Sequence, residues 1–185
     1  MAPAPGLMTV DEYLRTPERL IPQELAYGIL HVADAPAPRH QMLVAQLFRA
    51  LDAHVRREQL GEMWLAPLDV ILDERRALVV QPDLLFISHN RSWIVSDRVR
   101  GAPDLVVEVL SPDARVGRIE DRVEWFARYD VRECWLIHQD QRVVTVIDYA
   151  DQCIVARRLH RRMDPIRSRV LPTFWLSLRD IIDFA

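Results

Sequence analysis

The spacing of apolar residues along the chain predicts two long amphipathic helices. Within 40–58 and within 113–129 the apolar side chains recur at intervals of three and four residues, which aligns them on one face of a helix. The first helix ends by Gly61, and Ser111 and Asp113 are alternative N-caps of the second. The apolar faces consist of Leu43, Leu47, Ala50, Leu51, His54 and Val55 in the first helix, and of Val116, Ile119, Val123 and Phe126 in the second.

Shorter runs rich in Val, Ile and Leu predict strands, because charged or polar turns bound them. The runs at 63–73 and 77–88 are expected to pair as antiparallel strands, and a third run follows at 102–111. Thr9 and Glu12 are expected to form a capping box on a short helix. The remaining predictions are a strand pair or one bent strand around Gly28 at 23–33, strands at 132–138, 142–150 and 153–160, and short helices at 9–15 and 177–184.

The order of these elements predicts one α/β (α+β) domain over residues 1–185, with a mixed central sheet flanked by helices. The sequence has no repeats, low-complexity tracts or linkers that would mark a second domain. Helices on both faces of a sheet make its central strands apolar on both sides. The run Asp104–Leu110, DLVVEVL, has that character apart from one glutamate.

Two carboxylates interrupt otherwise apolar strands. Glu108 lies in the middle of DLVVEVL, and Asp83 interrupts ALVVQPDLLFIS directly after Pro82. An unpaired carboxylate that is removed from water costs several kcal/mol, so each acid needs a partner, a metal ion or contact with solvent. If neighbouring strands bring the two acids together, their repulsion raises a pKa or calls for a cation between them.

A divalent ion such as Mg²⁺ is the expected guest of such a pair. It takes one or two carboxylates and completes its shell with water and phosphate oxygens. The chemistry would then be metal-assisted hydrolysis of a phosphodiester. The alternative is structural, with two acids at strand ends that are hydrogen-bonded or ion-paired to arginines. The spacing alone leaves both interpretations open.

The overall charge excludes a broad basic surface as the basis of nucleic-acid binding. The formal net charge is −3, so any nucleic acid must be held by a local patch. Six arginines between Arg157 and Arg169 form one such patch, for which a solvated surface is the expected role. All 24 basic residues are arginine, which excludes a lysine-based mechanism.

The N-terminal residues lack a basic segment followed by an apolar segment, and no window approaches the length of a membrane span. We therefore expect a cytoplasmic protein. Cys134 and Cys153 are expected to be small core residues without a disulfide. The histidines other than His40 show no metal-ligand spacing such as HExxH, and the tryptophans are expected in the core or in a dimer contact.

Several short motifs resemble those of one protein family. Pro82-Asp83, followed 25 positions later by Glu108, is similar to the acidic part of the PD-(D/E)XK nuclease signature. The segments MTVDEYL, PRHQ, VVQPDLLFIS, GAPDLVVEVLSP and ARYDVRECWLI, in this order, resemble the Uma-two family, which is described broadly as restriction endonucleases. The similarity extends over nearly the whole chain.

The resemblance implies a restriction-endonuclease-like fold, a homodimer, and a site that uses Mg²⁺ or Mn²⁺ to hydrolyse DNA. Asp83 and Glu108 match the metal-binding acids of the family. Glu24, in QELAYGIL, matches a third acid near the site. His40 matches a histidine that opens the first long helix and has a positioning role.

The chain departs from the family pattern at the basic residue. The general signature has a lysine two positions after the glutamate, where this chain has Leu110. In the Uma-type pattern the lysine lies on the next helix and falls on Arg122, while an aspartate falls on Arg118 and a tyrosine on Phe126. Arg115 and Arg118 are expected to flank Arg122 at helical spacing.

Arginine at position 122 leaves two functions open. Its guanidinium can pair with carboxylates or hold a phosphate, but it cannot act as a base near neutral pH. The first function is a metal-dependent DNA endonuclease in which Arg122 stabilises developing charge. The second is a catalytically degenerate relative that dimerises and binds nucleic acid or a protein.

Overall fold

The structure is a computed structural model that describes residues 6–17, 22–110 and 118–182. Four α-helices and eleven strands lie in these ranges. The helices are α1 (Val10–Leu14), α2 (Pro38–Arg57), α3 (Ile119–Arg128) and α4 (Leu178–Ile182), with a short 3₁₀ helix at His89–Ile94. The strands are β1 (Gln23–Ala26), β2 (Ile29–Val32), β3 (Gly61–Leu65), β4 (Val70–Asp73), β5 (Leu78–Val80), β6 (Leu84–Ser88), β7 (Val99–Arg100), β8 (Leu105–Leu110), β9 (Glu133–His138), β10 (Val143–Ala150) and β11 (Cys153–Arg161).

The strands form two sheets rather than one central sheet. The five-stranded sheet has the order β2-β1-β5-β4-β7, and the six-stranded sheet has the order β11-β10-β9-β8-β6-β3. Each sheet contains one parallel pair, β4 with β7 and β8 with β9, among antiparallel neighbours. The fold is therefore the expected mixed α+β arrangement of helices against mixed sheets, with the strands divided between two sheets.

One antiparallel ribbon, Gly61–Asp73 with Leu78–Ser88, passes from the six-stranded sheet into the five-stranded sheet. In it β3 pairs with β6 and β4 pairs with β5, so the predicted antiparallel pairing of these two runs is confirmed. Each predicted run is nevertheless interrupted, at Pro67 and at Pro82, because proline has no N–H to donate to a strand ladder. The interruption places Asp83 where the two sheets meet.

Helices cover both faces of the six-stranded sheet. Leu105, Val107 and Val109 of β8 pack in the apolar cluster that contains α2 and α4, whereas Val106 packs in the cluster that contains α3. The central strand β8 is therefore apolar on both sides, as predicted. Because side chains alternate along a strand, Glu108 projects toward the α3 side together with Val106.

The helices form where they were predicted, except at the start of α3. Thr9 and Glu12 form the capping box of α1, with Thr9 Oγ1 accepting from Glu12 N at 3.1 Å and Glu12 Oε2 accepting from Thr9 N at 2.7 Å. The helix α3 begins at Ile119 and not at Asp113, because Arg118 has an extended backbone with φ −79° and ψ 145°. The predicted caps and flanking residues Ser111, Asp113, Arg115 and Val116 lie outside the described residues.

The two cysteines differ in exposure. Cys134 is buried as expected, but Cys153 is exposed at the start of the edge strand β11, so the core position predicted for it is wrong. Among the tryptophans, Trp135 is fully buried, whereas Trp93 and Trp175 are exposed. No helix within the described ranges is long and apolar enough to cross a membrane.

Candidate active site

Asp83 and Glu108 lie on neighbouring strands of the six-stranded sheet. Leu84 pairs with Val107 in the antiparallel β6–β8 register, and continuing that register by one residue places Asp83 opposite Glu108. Residues that oppose each other on two strands project from the same face of a sheet. The sheet therefore brings the two predicted acids together, and both residues are at most 9% exposed.

The Asp83 carboxylate contacts His40 and the backbone of Val109. Its Oδ2 accepts a hydrogen bond from Val109 N at 2.8 Å and lies 3.2 Å from His40 Nε2. His40 Nε2 also lies 3.1 Å from the carbonyl oxygen of Val109. Since His40 lies in the first turn of α2, the beginning of that helix supplies one ring nitrogen to two oxygens of the sheet.

Arg122 joins the other two acids of the site. Its Nη2 and Nε donate to Glu108 Oε1 at 2.5 and 3.1 Å, and its Nη1 donates to Glu24 Oε2 at 2.5 Å. Glu24 belongs to β1 of the five-stranded sheet, and its Oε1 accepts from Gln81 N at 2.6 Å. The Arg122 guanidinium also lies 5.7 Å from the ring centroid of Phe126. One side chain of α3 thus connects the two sheets.

The described residues of this cluster carry more negative than positive charge. Glu24, Asp83 and Glu108 face one arginine and one histidine, and all five residues are buried. Burial raises the pKa of Glu108 to about 7; Arg122 opposes the rise, whereas Asp83 and Glu24 add to it. Burial lowers the pKa of Arg122, but the carboxylates of Glu108 and Glu24 outweigh burial and raise it. Arg122 therefore stays protonated, whereas Glu108 exchanges a proton near neutral pH.

The donor chemistry of the cluster fits a hard divalent cation. Carboxylate oxygens are the ligands that Mg²⁺ and Mn²⁺ prefer, and a dication would offset the excess of buried negative charge. In the part of the chain that the structure describes, no three His, Cys, Asp or Glu side chains are grouped as ligands of one ion. Arg122 instead neutralises Glu24 and Glu108. Asp83 and Glu108 are the side chains that would hold such an ion.

Arg118 does not join the cluster. It is exposed at the N-cap of α3, and its Nε lies 3.6 Å from Glu120 Oε2. The prediction that it flanks Arg122 at helical spacing is wrong, because the helix begins only after it. Two backbone groups of the site, Gln81 N and Val109 O, were not predicted at all. Every residue carries such groups, so no pattern in the sequence distinguishes them.

A cavity of about 890 Å³ reaches the cluster at Asp83. Asp69, Gln81 and Arg98 also line it. Asp69 accepts hydrogen bonds from Tyr13 Oη at 2.9 Å, from Gln81 Nε2 at 2.9 Å and from Arg98 Nε at 3.1 Å, so a polar network forms this wall. The volume lies within the range of ligand-binding cavities, and the cavity gives the buried acids a route of access from the Asp83 side.

Comparison with known proteins gives one family and a similar fold. A family model with the description "Uma2: Putative restriction endonuclease" matches residues 10–179. A crystal structure described as that "of a putative nuclease belonging to DUF820 from Anabaena variabilis ATCC 29413" aligns with a TM-score of 0.77 at 19% identity, and covers 95% of this chain and 98% of that chain. The likeness at this identity shows the fold alone, and it confirms the predicted fold class. No curated protein gives a significant match.

Proposed function

This chain belongs to the Uma2 family of restriction-endonuclease-like proteins, and on that premise we propose that it is a divalent-metal-dependent endonuclease that hydrolyses phosphodiester bonds of DNA. One observation carries the proposal: Glu24, Asp83 and Glu108 are buried beside one arginine where two sheets meet. A purely structural role would require only balanced ion pairs. The excess of negative charge among the described residues instead favours a site that binds a cation.

Each residue of the cluster has a distinct role in the proposed reaction. Asp83 and Glu108 would hold Mg²⁺ or Mn²⁺, which when bound polarises the phosphoryl oxygen and lowers the pKa of water. Arg122 contributes a permanent positive charge toward the phosphate, since its raised pKa excludes proton transfer. Glu24 orients Arg122 by accepting from Nη1, and Gln81 N in turn fixes Glu24.

Cleavage assays with single-residue variants test this function. Supercoiled, linear duplex and single-stranded DNA are incubated with the protein and Mg²⁺, Mn²⁺ or EDTA. We expect metal-dependent cleavage by the wild type, and a reduction of more than about 100-fold in Asp83→Asn and in Glu108→Gln, because each change removes a ligand and not merely its support. Asp104→Asn is the matched control, since Asp104 is a buried acid that precedes β8 and accepts from Ser88 N at 2.8 Å.

The assay separates three outcomes. Loss of cleavage in the two site variants, with retention in Asp104→Asn, supports the proposed function. Retained cleavage in both site variants would place the chemistry elsewhere in the protein. Absence of metal-dependent cleavage by the wild type, under conditions where a control nuclease is active, would exclude the enzyme and leave the second candidate.

The second candidate is a catalytically degenerate relative that dimerises and binds nucleic acid or a protein partner. The ion pairs of Arg122 favour it, because one guanidinium satisfies Glu24 and Glu108 without a metal. This function predicts DNA binding that EDTA leaves unchanged and that weakens as salt increases, which fluorescence anisotropy with labelled DNA measures. Binding that requires Mg²⁺ or Mn²⁺ would contradict it.

A further inference from the structure

His40 is the least exposed member of the cluster, at 1%. Its Nε2 lies 3.2 Å from Asp83 Oδ2 and 3.1 Å from Val109 O, so one ring nitrogen faces two oxygens. Asp83 Oδ2 also accepts from Val109 N at 2.8 Å. The polar atoms come from α2, from the residue before β6, and from β8. Their convergence is therefore a product of the tertiary fold and not of a local turn.

The spacing of these atoms fits shared coordination of one ion. Protein N–H···O bonds cluster at about 2.9–3.0 Å and extend to about 3.2 Å, and a neutral imidazole carries a single proton for two acceptors. Two ligand atoms at adjacent positions of an octahedral ion lie about 3.0 Å apart when each is about 2.1 Å from the ion. His40 Nε2 stands at nearly that separation from both Asp83 Oδ2 and Val109 O.

On the basis of the proposed function, we infer that His40 Nε2 and the Val109 carbonyl oxygen are ligands of the same ion as Asp83, and that the imidazole makes the site select Mn²⁺ over Mg²⁺. Mg²⁺ prefers a shell of oxygens, whereas an imidazole nitrogen favours transition-metal ions. His40 is then a ligand as well as a support for Asp83. It supplies a nitrogen to a site that otherwise offers oxygens.

Pulsed electron paramagnetic resonance of bound Mn²⁺ tests this assignment without DNA and without cleavage. A directly bound imidazole nitrogen modulates the electron spin echo at ¹⁴N frequencies, and labelling of the protein with ¹⁵N-histidine moves the modulation to ¹⁵N frequencies. We expect histidine modulation in the wild type and its loss in His40→Asn. By titration calorimetry, His40→Asn should weaken Mn²⁺ binding by at least about 10-fold and Mg²⁺ binding by less than about 3-fold.

His54→Asn is the matched control, because His54 is another buried histidine of α2 and its Nε2 lies 2.9 Å from the carbonyl oxygen of Pro172. It should keep both the modulation and the metal selectivity. The isotope measurement uses the wild type, so it decides the question even if His40→Asn does not fold.

Mn²⁺ that binds without histidine modulation, at a site that Asp83→Asn abolishes, would overturn the inference and leave the proposed metal site intact. A wild type that binds neither Mn²⁺ nor Mg²⁺ would overturn the inference and the proposed function together.

Discussion

Arg122 binds two carboxylates through three nitrogen atoms of one guanidinium, with Nε and Nη2 on Glu108 and Nη1 on Glu24. A lysine ammonium is a single centre and cannot reproduce this fork. Arginine at this position therefore ties Glu108 Oε1 to α3 and competes with any cation for that oxygen. Residue 122 decides how readily Glu108 reaches a metal ion.

Arg122→Lys is expected to increase Mg²⁺-dependent DNA cleavage by up to about 10-fold. The change removes one charge-assisted hydrogen bond, worth about 1 kcal/mol, and so releases Glu108 toward the ion. A lysine can also lower its pKa on burial and orient the attacking water. Initial rates of the wild type and of Arg122→Lys, with Asp83→Asn as the inactive reference, measure the effect. Reduced cleavage would show that the guanidinium itself holds the phosphate.

The titration of Glu108 links the stability of the protein to pH. Its carboxyl group has a pKa of about 7 in the fold against 4.5 for an ordinary glutamate, and burial is the largest cause. Between these values the folded state binds a proton that the unfolded state lacks. The stability that the protonated group contributes is therefore present at low pH and is lost as pH rises through about 7.

Glu108→Gln should remove this dependence, because the neutral amide keeps the shape and still accepts a hydrogen bond from Arg122. Relative to the wild type, we expect the variant to gain on the order of 1–3 kcal/mol in the free energy of unfolding between about pH 5 and about pH 8. Urea denaturation at both pH values measures this gain. An equal loss of stability at both pH values would instead identify Glu108 as a structural partner of Arg122.

The acids in apolar strands could be predicted from the chain itself, because buried charge is costly and therefore conspicuous. Asp83 and Glu108 belong to this class. Glu24 and Arg122 occupy no unusual local pattern, and only family resemblance indicated them. Their hydrogen bond joins residues 98 positions apart, a distance over which periodicity carries no information. The contribution of the Val109 carbonyl depends on strand register and on His40, and no residue type encodes it.

At the scale of elements, apolar runs predicted the strands and their pairing but not the division into two sheets. Both long runs are apolar throughout, so the hydrophobic pattern reads each as continuous. The division depends on Pro67 and Pro82, which withdraw backbone donors at the same level of the ribbon. The start of α3 was misplaced for a related reason, since side-chain periodicity does not report the extended backbone of Arg118.

Gly61→Ala is expected to destabilise the protein by about 2–4 kcal/mol, because β3 runs close against β6 at this point. Gly61 has φ +156°, and a Cβ atom there would overlap the carbonyl oxygen of Ile87. Gly101→Ala is the matched control: it has φ +130°, but its Cβ would lie 3.6 Å from Ile94 Cγ2, which is ordinary contact. Urea denaturation compares the two. Equal losses would show that the edge strand β3 moves aside.

At the scale of the whole molecule, side chains from one sheet are held by groups of the other. Arg122 of α3 binds Glu24 of the five-stranded sheet and Glu108 of the six-stranded sheet. The ring of Tyr27, which follows β1, packs edge-on against Trp125 of α3 with centroids 5.7 Å apart. These contacts are the physical reason to expect one domain, which stays a prediction until unfolding is measured.

We expect both sheets to unfold in one cooperative transition. Single-tryptophan variants that retain either Trp125, beside Tyr27, or Trp135, in the core of the six-stranded sheet, report the two regions by fluorescence. Their midpoints in urea should coincide with each other and with far-ultraviolet circular dichroism. Two separated midpoints would divide the chain into two folding units.

The homodimer that the family resemblance implies also stays a prediction. Light scattering during size-exclusion chromatography should give twice the 21.6 kDa mass of one chain. Trp93 and Trp175, at 77% and 60% exposed, are the large apolar side chains most available for such a contact. A monomer at the protein concentrations used for the cleavage assays would contradict the prediction.

The ribbon shared by the two sheets bears on the order in which the chain folds. Its strands meet within residues 61–88, whereas β1 reaches β5 by pairing Leu25 with Val79, and β8 reaches β9 through a crossover that contains α3. The entropy lost on closing a loop grows with its length, so local pairs tend to form before distant ones. The ribbon then acts as a template for both sheets. Asp83 takes its position in this early structure, and Glu24, Glu108 and Arg122 are added to it as the longer loops close.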